Sequence, residues 1–266
     1  MIVGTTARSY FTRIDDHSFL PTEHAGGAWR DDELHLAPVA GLVIDHLERW
    51  RREHAPTLVF SRFSLEVLGQ IARDRIDLDI EVIRPGRTIE LLETTAVIGG
   101  RTTVRARAWL LQASDTSQVA EHEFDALPPP EEFTETAWLK RWRGGLIAGL
   151  EARQSGDTRP GRAKVWVTSD VDLIAGEQST ELGAIAKFFD TANGVSMRQD
   201  PQVWMYPNVD LTAHLFRQPS GPWLGLDTRV AFGAGGIGQT NSVLHDADGP
   251  FGTLAQSLTL RPNMIG

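Results

Sequence analysis

Two stretches of this chain run through the same order of elements, an amphipathic helix and then a series of strands. That repetition limits the fold more than any single motif does. In the first stretch Leu36, Val39, Ala40, Val43 and Leu47 recur at helical spacing and mark one buried stripe. Asp31, Asp32 and Glu33 place negative charge at the helix start, which suits its dipole, and Pro38 fits only within the first turn. The helix is expected to reach about Arg52 and to stop before Pro56. Four strands follow, Leu58 to Val67, Ile76 to Ile83, Thr88 to Ile98 and Thr102 to Gln112; the second alternates strictly, as a half-buried strand should. Arg84-Pro-Gly-Arg87 and Gly99-Gly100 supply the turns. Ahead of the helix, Tyr10 to Ile14 reads as a strand and His24 to Trp29 as a loop or turn entering another.

In the second stretch Leu182, Ile185, Phe189 and Ala192 share one face of a helix expected over residues 182–193. Gly145 to Ala152 and Ala163 to Thr168 read as strands before it, and Asn208 to Phe216, Trp223 to Phe232, Gln239 to Leu244 and Thr253 to Leu260 as strands after it. Leu36-Ala-Pro-Val-Ala40 lines up with Leu182-Gly-Ala-Ile-Ala186, and Arg84-Pro-Gly with Arg217-Gln-Pro-Ser-Gly221. The two matches in one order indicate an internal duplication of roughly 130–145 residues, longer than a solenoid period. Leu127-Pro-Pro-Pro130 breaks the pattern, because three prolines continue neither a ladder nor a helix. The expected division is therefore residues 1–127 and 128–266, with Trp138 and Trp142 packing against one of the halves. A helix with one apolar stripe and strands with one apolar face must bury each other. The fold class is α+β, each half a curved antiparallel sheet wrapped around a helix.

Composition removes several function classes. The formal net charge of −9 argues against nucleic-acid binding, which needs a basic surface. With no cysteine there is no disulfide framework, thiol nucleophile or cysteine metal site. The first ten residues lack a signal-length apolar core, and no run spans a bilayer, so the chain is expected in the cytoplasm without membrane contact.

Three polar residues stand out. Asp190 lies at the edge of the second helix's apolar face, near Ala186, Phe189 and Asn193. A carboxylate there must find partners or become neutral, which makes it a candidate general base; the plainer reading is a capping or solvated aspartate. Gln256 shares a strand face with Leu254, Leu258 and Leu260, where an unpaired amide would be costly, unless the register shifts and exposes it. Asn208 follows Pro207 at a loop-to-strand junction, where a turn asparagine is the commoner reading. Other signals lead nowhere. Gly233-Ala-Gly-Gly-Ile-Gly238 matches a dinucleotide fingerprint but precedes a strand rather than a helix. Asp246-Ala-Asp-Gly249 lacks the later glutamate of a calcium loop and reads as a hairpin turn. The histidines show no metal-ligand spacing, and His35, His46 and His54 read as surface residues. No G-x-S-x-G elbow is present.

Pro207-Asn-Val-Asp-Leu-Thr-Ala-His214, Phe216-Arg217, Pro219, Gly221, Trp223-Leu224, Leu244-His-Asp-Ala-Asp-Gly249, Ala255-Gln256-Ser257 and Arg261 together resemble the second half of the TesB-like (type II) acyl-CoA thioesterases. His35-Leu-Ala-Pro-Val-Ala40, Ser61-Arg-Phe63 and Arg84-Pro-Gly-Arg87 are similar to the first half. The resemblance implies a double hotdog fold, two hotdog domains in one chain. It also implies hydrolysis of acyl-CoA thioesters by a water held between an aspartate, a threonine or serine, and a glutamine. These fall on Asp190, Asn208 and Gln256, with asparagine standing where the family has a hydroxyl; its amide can still bond a carboxylate or a water. No metal, cofactor or covalent intermediate is implied. The acyl chain is expected between helices and strands, lined partly by Phe188, Phe189, Trp204 and Met205. The alternative is an acyl-binding hotdog protein with little turnover, which Asn208 favours. Exposed sheet edges lead to the expectation of a homo-oligomer, which light scattering would check.

Overall fold

The computed structural model describes residues 8–136 and 138–264. The side chain of Trp138, one of the two expected packing tryptophans, lies outside the described residues. The first half contains β1 (Ser9–Arg13), β2 (Ser18–Pro21), α1 (Leu36–His54), β3 (Leu58–Val67), β4 (Ile76–Arg84), β5 (Ile89–Ile98) and β6 (Arg101–Gln112). The second contains β7 (Thr134–Glu135), α2 (Gly145–Ala148), β8 (Glu151–Gln154), β9 (Arg162–Thr168), β10 (Asp172–Ile174), α3 (Glu181–Ala186), α4 (Ala192–Val195), β11 (Trp204–Met205), β12 (Asp210–Leu215), β13 (Leu224–Phe232), β14 (Ile237–Asp246), β15 (Gly249–Thr259) and β16 (Arg261–Pro262).

One sheet of fourteen strands carries both halves, in the order β10-β1-β2-β4-β5-β6-β3-β12-β15-β14-β13-β9-β8-β7. The halves join where β3 runs antiparallel to β12, with Leu65 opposite Leu211 and Phe63 opposite Ala213. All four side chains are fully buried, so the seam is part of the core. At the far end β10 pairs in parallel with β1, so a strand of the second half extends the sheet of the first. The Gly99-Gly100 turn between β5 and β6 has positive φ at both residues, as a two-residue hairpin of this twist demands. This is the α+β double hotdog that the resemblance implies: α1 packs on β3 and β5, α4 on β13 and β14, and the helices meet through α1 and α3.

α1 begins after His35, whose ring accepts the Ala37 N–H, and Pro38 falls in the first turn, where its missing donor is not needed. The acidic run Asp31 to Glu33 stays outside the helix. α1 is buried almost all round from Leu36 to Leu47 rather than along one stripe, because α3 covers the side away from the sheet. Two glycines permit that contact. A Cβ on Gly41 would lie 2.6 Å from the Lys187 Cβ, and one on Gly183 would lie 2.6 Å from the Asp45 Cβ. Asp45 in turn accepts the Thr180 N–H at 2.7 Å and Arg49 at 2.7 Å, tying the start of α3 to α1.

Two expectations are corrected. Residues 182–193 do not form one helix. α3 ends at Ala186, a tight 3-10 turn spans Phe189–Thr191, and α4 follows. Apolar spacings of three and four residues suit both helix types, so periodicity does not reveal the break. The Thr191 hydroxyl and N–H both bond the Phe188 carbonyl, which tightens the chain there. The expected strand from Gly145 to Ala152 is instead α2 followed by the short β8. Gly144 has φ of 107°, and a side chain on Gly145 would overlap the Glu23 carbonyl, so this segment docks backbone to backbone on the loop before α1.

The helix contact yields a stability prediction. Gly41→Ala should lower unfolding free energy by about 1–3 kcal/mol in urea, the range for overpacking, since the added methyl meets Lys187 backbone. Gly156→Ala, with open space around it, should change stability by less than about 0.5 kcal/mol. Equal effects of the two substitutions would contradict the close approach.

Candidate active site

Three distant segments converge on Asp190. The 3-10 turn after α3 presents its carboxylate, which is 3 % exposed. Asn208 sits just before β12 and bridges to Leu258 on β15. Gln256 lies on the inward face of β15, between Leu254 and Leu258, so the exposed register is not adopted. Asn208 Nδ2 donates to Asp190 Oδ1 at 2.7 Å and Gln256 Nε2 donates to the same oxygen at 2.8 Å. Asn208 Nδ2 also donates to the Asp210 carbonyl, which fixes the amide's orientation.

The second oxygen, Oδ2, lies 3.4 Å from His35 Nδ1. This is not an ion pair. Burial pushes His35 down to about 4 and Asp190 up to about 7, the two amide hydrogen bonds pulling Asp190 back only in part. The group that titrates near neutral pH is therefore the carboxyl. His35 Nδ1 accepts the Ala37 N–H at 3.1 Å, so the neutral ring carries its proton on Nε2.

Asp190, Asn208 and His35 border one cavity of about 410 Å³. Leu34, Leu36, Val67 and Ile71 from the first half and Ile147 and Leu150 from the second make its apolar wall, with Trp29 and Trp142 beside them. Trp142 packs edge-on to Trp29, ring centres 5.0 Å apart, and to Tyr206 at 5.9 Å, so this tryptophan touches both halves. Gln256 does not border the cavity and reaches it only through Asp190.

The four residues expected along the acyl chain are placed elsewhere. Phe188 and Phe189 are fully buried in the core, and neither borders this cavity. Trp204 and Met205 form β11, which pairs with β16; of that pair Arg261 borders the cavity and the tryptophan and methionine do not. The reading of His35 and His46 as surface residues is corrected. His35 caps α1 at the cavity wall, and His46 packs edge-on against His17 and Phe19, where burial lowers it to about 4. Helical periodicity could not locate His35, because what buries it comes from other segments of the chain. The glycines at 233–236 form the β13–β14 turn, and Asp246 closes the β14–β15 turn while pairing with both arms of Arg217.

The family model for the acyl-CoA thioesterase N-terminal domain matches residues 26–111, and that for the C-terminal domain matches residues 120–260. No match to this sequence is found among curated proteins. Solved structures similar to it include a conserved protein of unknown function with a hot dog fold from Alicyclobacillus acidocaldarius, 13 % identical with a TM-score of 0.72 over 95 % of this chain and 96 % of that one. The acyl-CoA thioesterase II TesB2 of Mycobacterium marinum is 14 % identical, TM-score 0.66, over 96 % of both chains. The tesB protein of Mycobacterium avium subs paratuberculosis is 15 % identical, TM-score 0.67, over 95 % of this chain and 96 % of that one. At these identities the likeness carries the fold. Among the described residues no helix is long and apolar enough to cross a membrane.

The buried carboxyl has a consequence for stability. Its folded pKa lies above the unfolded value, so the folded state holds the proton more tightly and loses stability as pH rises from about 4 to about 7. The full penalty is on the order of 4 kcal/mol. Asp190→Asn removes the titration. It should unfold at clearly higher urea than the wild type at pH 8 and at nearly the same urea at pH 4. A difference independent of pH would contradict the raised pKa.

Proposed function

Since the chain belongs to the acyl-CoA thioesterase family and is a thioester hydrolase, we propose that it converts acyl-CoA to the free acid and CoA through a water activated by Asp190. One observation carries this reading. Oδ1 of Asp190 is occupied by two amide donors, while Oδ2 has no hydrogen-bond partner among the described residues, and Asp190 borders the cavity. A carboxylate poised near pH 7 suits a general base, since it is ionised often enough to act and basic enough to take a proton.

In the proposed step a water in the cavity gives one hydrogen to Asp190 Oδ2 as its oxygen attacks the thioester carbonyl carbon. The tetrahedral intermediate collapses, the carbon–sulfur bond breaks, and the Asp190 carboxyl returns its proton to the departing thiolate. Water is consumed, and one acid and one thiol leave. Asn208 has two tasks. Its Nδ2 holds Asp190, and its Oδ1, with no protein partner among the described residues, accepts a hydrogen bond from the water's other hydrogen, which stays on the attacking oxygen. Gln256 is a positioning residue, fixing the carboxylate so that Oδ2 faces the cavity. The departure from a hydroxyl at position 208 points toward a binding protein without turnover, but the amide reaches Asp190 at 2.7 Å, as a hydroxyl donor would.

Release of free CoA by purified protein tests the proposal. Asp190→Asn should lower kcat by about a hundredfold or more, the scale of general-base catalysis, while Asn208→Thr should keep or raise it. The wild-type kcat/KM should rise with pH through about 7 and level off above, as Asp190 ionises. Undiminished hydrolysis by Asp190→Asn, or a flat profile from pH 5 to 9, would overturn the mechanism.

A further inference from the structure

We propose that the His35 imidazole is a catalytic residue of this site, its Nε2–H donating a hydrogen bond to the thioester carbonyl oxygen as negative charge builds there. The inference rests on the hydrolytic reading of Asp190 and adds the group that faces the substrate's oxygen. Four observations lead to it. His35 borders the cavity, with 15 % of its side chain exposed. Its Nδ1 is committed as the acceptor that caps α1, so the proton is on Nε2. Nε2 has no acceptor among the described residues, which leaves a donor free for a ligand. The ring's Nδ1 stands 3.4 Å from Asp190 Oδ2, the oxygen that holds the attacking water in the proposed step, with Nε2 across the five-membered ring from it.

The placement matters because a reacting carbonyl must lie within reach of both nucleophile and oxyanion donor. A neutral imidazole suits the donor's task. It stabilises developing charge without transferring its proton, and burial keeps the ring neutral and its tautomer fixed by the helix cap. The proton stays on Nε2 throughout; the only protons that move are those exchanged among water, Asp190 and the thiolate. Trp142 Nε1, itself buried, is a second N–H at this cavity without a partner among the described residues. It packs beside Gly194, whereas His35 stands against the carboxylate itself, so His35 is the donor at the reacting centre.

Two substitutions separate this role from capping alone. His35→Asn places an acceptor where Nδ1 was and remains a good N-cap, but has nothing at the Nε2 position. His35→Gln carries an amide N–H out to the Nε2 position and is the poorer cap. An oxyanion donor predicts that His35→Asn loses about 100- to 1,000-fold in kcat with KM changed only a few-fold. It also predicts that His35→Gln stays within about tenfold of wild type despite lower thermal stability, and that Trp142→Phe costs less than tenfold. Were His35 only a cap, the order of Asn and Gln would reverse. A readout independent of turnover uses the Asp190→Asn protein, where the thioester persists. The infrared carbonyl stretch of bound ¹³C-labelled acyl-CoA should move to lower wavenumber than in solution, and adding His35→Asn should remove that shift. A shift that survives His35→Asn, or a kcat order with Gln below Asn, overturns the proposal; hydrolysis surviving in Asp190→Asn would instead overturn the general-base reading.

Discussion

The two hydrogen bonds that Asn208 and Gln256 give to one oxygen of Asp190 tie three parts of the fold together. They join the turn after α3 to the start of β12 and the middle of β15. An ionised carboxylate moved from water into a core is strongly unfavourable unless it is paired and hydrogen-bonded. Here the pairing is asymmetric. Oδ1 is satisfied twice, Oδ2 faces an uncharged imidazole, and burial outweighs the donors, so the group titrates near neutrality. Partial satisfaction is what suits the carboxylate to the proposed role of base. A third strong donor or a cation at Oδ2 would hold it ionised at all relevant pH values and weaken it as a base.

The site needs both halves of the chain. The first supplies His35 at the start of α1 and much of the apolar wall; the second supplies Asp190, Asn208 and Gln256. What sets the distance between them is the contact of α1 with α3, where Gly41 meets Lys187 and Gly183 meets Asp45. In the register that aligns Leu36 with Leu182, Ile44 stands where the second half has Asp190, and Ile44 is fully buried. In that register the second half carries a buried carboxylate in the turn after α3 where the first carries an apolar side chain in α1.

How much of this is legible in the sequence depends on the range of the interactions involved. β3 runs from Leu58 to Val67 as expected, and the strands around Gly99-Gly100 are displaced by a residue at most, because alternation and turn chemistry are local. Asp190 and Gln256 are marked as polar residues in apolar settings, and Asn208 by the resemblance. The break in the helix at Phe188 is hidden, since a 3-10 turn preserves the same apolar spacing. Gly145 reads as strand because nothing local shows that the Glu23 carbonyl lies against it. His35, Trp29 and Trp142 come from loops and a helix start. Their meeting at one cavity is a product of tertiary packing, and no period in the sequence records it.

Burial raises the Asp190 carboxyl toward neutrality, and its two amide hydrogen bonds offset that rise only in part. Its titration can be followed directly by the ¹³C resonance of its side-chain carboxyl, assigned by comparison with the Asp190→Asn protein. The expected midpoint is about 7. A midpoint near 4, the ordinary aspartate value, would contradict it.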